Sequence, residues 1–92
     1  MSLEYKLAHD EVLITEALVL IQRAVVLSVL LGDNREAKYM DLLTELEVLE
    51  KKYKINKNSV LSADRALDDA GLSADEILDR AGKICGERPA RA

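Results

Sequence analysis

The side chains best suited to chemistry are few and scattered. His9, Asp10 and Glu11 are consecutive, so on a helix they point about 100° apart and do not converge on one substrate or metal. With 1 His and 1 Cys, the chain cannot supply a four-ligand Cys/His zinc site or close a disulfide. Cys85 has neither a CxxC partner nor a nearby His to draw off its proton. Glu45, Glu47 and Glu50 make an acidic cluster, but Glu47 with Lys51 and Glu50 with Lys54 have the i, i+4 spacing and order that favour pairing on an exposed helix face. A glycine-rich phosphate loop and a GxSxG elbow are both missing from the sequence. The expectation is a non-enzymatic protein with no cofactor and no metal.

Charge bears on partners in the same way. Thirteen basic against 17 acidic side chains give a net charge of -4, which sets up no overall field toward nucleic acid or an anionic membrane. The lysines at 51, 52, 54 and 57 cluster where a helix should end, a place the helix dipole already favours for cations. Leu67, Gly71, Leu72 and Ile77 sit loosely at the packing and turn positions of a helix-turn-helix. A DNA-binding regulator using residues 63–82 is therefore the alternative reading. Against it, the would-be recognition helix carries Asp75, Glu76 and Asp79 with one Arg80, the wrong sign for phosphate.

The elements that would position these residues are helical. The sequence has 49% apolar residues but only 3 Tyr and no Phe or Trp, with 4 Gly and 1 Pro, so the core must be aliphatic and the turn chemistry of a many-stranded fold is lacking. Residues Val12 to Leu31 hold 15 apolar positions out of 20, the length of a membrane span. Glu16 and Arg23 interrupt them at a cost of about 2.5–3.5 kcal/mol for a basic group in mid-span. Thr15, Glu16, Gln22 and Arg23 also fall in one polar stripe, so the expectation is no membrane. Acidic residues, rather than a basic n-region, precede this stretch, and Cys85 is unpaired; both point to the cytoplasm.

Two apolar seams run along this first helix. One is Leu7, Ile14, Leu18, Ile21 and Val25, preceded by Leu3; the other is Leu13, Ala17, Leu20, Ala24, Leu27 and Leu31, with heptad steps throughout. Two seams ask for two neighbours, and the second is expected to be the oligomer interface. Helix 1 should span 2–31, with Ser2 as N-cap and Gly32 as its left-handed stop. Helix 2 should span 34–54 with an Asp33/Glu36 capping box, and its seam of Tyr39, Leu42, Leu46, Leu49 and Tyr53 should close a long antiparallel hairpin.

A connector at 55–59 then leads to an internal repeat. The segment Leu61–Gly71 is followed at once by Leu72–Gly82, identical at eight of eleven positions. Each unit reads as a two-turn helix ended by glycine, the second opened by Ser73 with Glu76. The expected architecture is a single all-α domain over 1–85, with hairpin 2–54 and short helical pair 59–85, and a disordered basic tail at 86–92. Dimerisation through helix 1 would complete the bundle. The expected function is protein–protein interaction, of the adaptor, chaperone or inhibitor type, by a homodimer or higher homo-oligomer that binds a further protein partner.

Overall fold

A computed structural model describes residues 10–84, which are all-helical, with four helices and no strand among them. Ser2, Leu3, Leu7, His9, Cys85 and the tail at 86–92 lie outside the described residues. Helix α1 is Glu11–Leu31, α2 Glu36–Lys52, α3 Lys57–Ala70 and α4 Ala74–Ile84. Each of α2, α3 and α4 packs against α1. The apolar segment of the sequence has become the central element, and it is long and apolar enough by length and composition to cross a membrane.

Helix α1 does not run unbroken from Ser2. Asp10 is extended (φ -78°, ψ 113°), and its carboxylate accepts from the backbone N–H groups of Val12 and Leu13 at 2.9 and 3.2 Å. Those donors have no partner inside the helix, so a side-chain acceptor starts it here. At the other end Gly32 is left-handed (φ 66°), as the sequence expectation has it, and the Asp33 N–H donates to the Ser28 carbonyl at 2.8 Å.

Helix α2 starts later than expected, because Asp33 does not cap it. Its carboxylate turns onto Arg35 instead, accepting from the backbone N–H at 2.8 Å and from Nη2 at 2.8 Å. Helix α2 also stops at Lys52, and Lys54 follows with φ 52°. The Glu50 carbonyl is then taken by the Ile55 N–H at 3.0 Å, so the Glu50/Lys54 spacing is not helical. Helix α3 starts inside the expected connector because Asn56 caps it, its Oδ1 accepting from the Asn58 N–H at 2.8 Å. Gly71 ends α3 at φ 63°. In the second repeat unit, Ser73 Oγ accepts from the Glu76 N–H and donates to Glu76 Oε1, both at 3.2 Å, and starts α4. That helix runs through Gly82, which is buried, to Ile84, so Gly82 does not stop it.

The core is aliphatic around one tyrosine. Ile14, Leu18 and Ile21 of α1 meet Tyr39, Leu42, Leu46 and Leu49 of α2, together with Ile55 and with Leu78 and Ala81 of α4; Val25 and Tyr53 pack at the margin. The Tyr39 hydroxyl is buried and donates to the Leu78 carbonyl at 3.2 Å, tying α2 to α4. Two buried hydroxyls on α1 are satisfied within the helix: Thr15 Oγ1 donates to the Glu11 carbonyl at 2.7 Å and Ser28 Oγ to the Val25 carbonyl at 2.9 Å.

Candidate functional site

Three helices around one leave part of that one uncovered. The last two turns of α1 present Val26, Val29, Leu30 and Leu31 at 57%, 54%, 75% and 59% exposure. Val26, Val29 and Leu30 are related by i+3 and i+4 steps and so are neighbours on the helix surface. Met40, Val48 and Leu61 are also exposed, but each stands on another element or another turn, and isolated apolar residues of this kind are ordinary. Four aliphatic residues within six positions form a patch.

The residues expected at the oligomer interface are distributed differently. Ala17 and Ala24 are 2% and 0% exposed within the chain, leaving almost no surface to offer a second copy. Leu20 and Leu27 are half-buried, and Leu13 and Leu31 are exposed. The small side chains that were expected to admit a foreign backbone lie on the inward-facing part of α1. Only the ends of that seam are open. The five hairpin-seam residues lie within this chain's own packing: Tyr39, Leu42, Leu46 and Leu49 are buried, and Tyr53 packs against them half-buried.

The polar stripe of α1 has a role that the sequence reading missed. Helix α3 lies along it, and Arg23 is the link. Its Nε and Nη2 reach Asp64 Oδ1 at 3.0 and 2.8 Å, Nη2 also donates to the Asp64 carbonyl at 3.0 Å, and Nη2 meets Asp68 Oδ1 at 2.7 Å. This is a guanidinium fork on two carboxylates one helical turn apart. The hydrogen bonds to those carboxylates hold the guanidinium even more firmly protonated than usual. Two signals in the sequence marked this contact: an arginine inside an apolar helix, and an Asp-x-x-x-Asp pair at Asp64 and Asp68.

At the turn after α1, Asp33 is held down to about pKa 2, first by its side-chain bond to Arg35 and then by the Arg35 backbone N–H. Arg35 also lies over the Tyr39 ring, 5.7 Å from its centroid. The charge next to the apolar patch is thus already paired within the chain.

The other candidates do not assemble into a centre. Glu45 and Glu47 are exposed on α2 and Glu50 is half-buried. Among the described residues no group of three or more His, Cys, Asp or Glu is placed to hold a metal. On α4, Ile77, Leu78, Ala81 and Gly82 face inward. That leaves an outer surface of Asp75, Glu76 and Asp79 with Arg80 and Lys83, on which Lys83 pairs with Asp79 at 3.3 Å. Comparison of the chain with family models, with curated proteins and with solved structures finds no match.

Proposed function

We propose that this protein is a non-enzymatic helical interaction module that self-associates through the C-terminal end of α1. The single observation behind this reading is the run of four exposed aliphatic residues, Val26, Val29, Leu30 and Leu31. Their burial against a second copy would remove apolar surface from water at about 25 cal/mol per Å². The rim suits a second copy of an acidic chain, because Asp33 is already neutralised by Arg35 at 2.8 Å and the patch itself carries no charge. In this reading α1 and α2 form an antiparallel hairpin, and dimerisation completes the bundle. The assembled module then acts by holding a further protein, as an adaptor, chaperone or inhibitor does.

Light scattering over a concentration series tests the reading, with Leu30→Glu as the disrupting variant. The wild-type mass should rise with concentration from that of a single 10.2 kDa chain, and Leu30→Glu should hold it there with unchanged helicity. A wild-type protein that stays monomeric throughout overturns the reading.

A further inference from the structure

Helix α3 has 14 residues, and none of them is buried. Val60, Ala63, Asp64 and Leu67 are its half-buried positions, one stripe at i, i+3, i+4 and i+7. No residue of α3 belongs to the buried cluster, which α1, α2, Ile55 and α4 make among themselves; Val60 only packs against its margin. Clefts of ≈ 400 and ≈ 260 Å³ open between α1 and α3, one lined by Val12, Thr15 and Ser59, the other by Val19, Leu20 and Leu67. With so little apolar area taken from water, the hydrophobic contribution to seating this helix is small.

The clasp on Arg23 takes its place. The Arg23 side chain is 25% exposed, so its bonds form partly out of water, whereas Asp64 and Asp68 are 48% and 63% exposed and open to counterions. Asp64 accepts from both Nε and Nη2 and Asp68 from Nη2 alone, so Asp64 is the stronger half of the clasp. The face of α1 under the helix is mixed, with Glu16 beside Val12 and Val19 along the clefts and Arg23 beyond them. The left-handed residues Lys54 and Gly71 flank α3 and interrupt the helical backbone ladder, so releasing α3 does not require unwinding α2 or α4.

We propose that α3 is a salt-released strap: Arg23 on Asp64 and Asp68 closes it, and screening of that contact lets the whole helix lift from α1 while α1, α2 and α4 stay folded. Opening involves one chain alone, so the proposal stands apart from self-association. It makes ionic strength the variable that sets how often the mixed face of α1, with Glu16, Val19 and Arg23, is uncovered. The core beneath keeps its own ties, among them the Tyr39 hydroxyl on the Leu78 carbonyl at 3.2 Å.

Limited trypsin digestion at low protein concentration tests this, with a control built into the repeat. Asp64-Arg65-Ala66 of α3 and Asp79-Arg80-Ala81 of α4 are the same cleavage sequence, and both arginines are exposed. The ratio of the two cutting rates therefore reports opening of α3 relative to α4, and effects of salt on the protease cancel. Wild type should be cut first after Arg65. Raising NaCl from about 0.1 to about 1 M, which shortens the screening length from about 10 to about 3 Å, should raise the ratio several-fold. Arg23→Gln should raise it about tenfold at low salt with little further response to salt, and Asp68→Asn should raise it less. A ratio that salt leaves unmoved overturns the proposal, as does an Arg80 bond that is cut faster in step with the Arg65 bond as salt rises. This arm uses the wild-type chain, so it decides even where a variant fails to fold. In a variant with unchanged circular dichroism, a ratio equal to that of wild type overturns the role of Arg23.

Discussion

Helices α3 and α4 are drawn from two eleven-residue units identical at eight positions and are held in opposite ways. Leu67 and Ala70 correspond to Leu78 and Ala81, yet the first pair is half-buried and exposed while the second is buried in the core. Asp64 and Asp68 face Arg23; their counterparts Asp75 and Asp79 face out. The units differ at three places: Arg65, Ala66 and Asp69 in the first stand where the second has Glu76, Ile77 and Arg80. Of these only Ile77 is buried. Ile77 joins Leu78 and Ala81 on the buried face of α4; with Ala66 at the equivalent place, the half-buried face of α3 is Val60, Ala63, Asp64 and Leu67, and its carboxylate side meets a cation. Of the three differences, the one at Ala66/Ile77 is the one that changes how much apolar side chain the helix can bury.

Equivalent truncations should expose the difference most strongly. Leu78→Ala is expected to cost about 2–5 kcal/mol, the range for a buried leucine, and Leu67→Ala roughly 1 kcal/mol or less, because Leu67 is already half open to water. Urea denaturation of both variants measures this, and equal losses would break the comparison. Next in size is Ala66→Ile, which gives the first unit the second unit's residue at that place. It should turn α3 toward core-like packing and reduce its reliance on the clasp. The cost of Arg23→Gln should then shrink by about 1 kcal/mol in that background, a coupling within reach of a double-mutant cycle.

Tyr39→Phe removes the buried bond from α2 to the Leu78 carbonyl and should cost about 1 kcal/mol. It should loosen α4 at its edge while leaving α3 unchanged. The smallest effect belongs to the turn. Asp33 titrates near pH 2 in the folded chain, below the usual carboxylate value of about 3.9. Its contribution is therefore present in full above about pH 4 and fades as pH falls through about 2. Asp33→Asn should flatten the acid limb of the stability curve over that window by under about 1 kcal/mol, since a contact two residues apart partly survives unfolding. The difference between α3 and α4 should not move.

Local rules account for what the sequence disclosed. Helical periodicity and the absence of strand chemistry led to an all-helical chain. Gly32 as a stop and Ser73 with Glu76 as a start were legible because capping is a property of a few adjacent residues. The start at Asp10 rather than Ser2, and at Asn56 rather than Ser59, went unread because each stretch offers more than one residue able to cap. The polar stripe was legible as polar, but not as the seat of α3. A guanidinium on the outside of a helix looks solvated until a partner 41 residues away closes on it. For Ala17 and Ala24 the interface expectation fails for a related reason. Heptad spacing ranks Ala17 and Ala24 as ideal contacts without saying whose backbone they receive, and in this chain the small residues turn inward, so the surface left over joins Leu31 of that seam to Val26, Val29 and Leu30, which the seam omitted.

Native-state hydrogen exchange of the wild-type chain, resolved to α3 and α4, tests the contrast most directly. Amides of α4 should exchange only through near-global unfolding, and those of α3 should open locally, at least about tenfold faster, with the gap widening as salt is added. Equal protection of the two helices at every salt concentration would contradict it and would make α3 as much a part of the core as its twin.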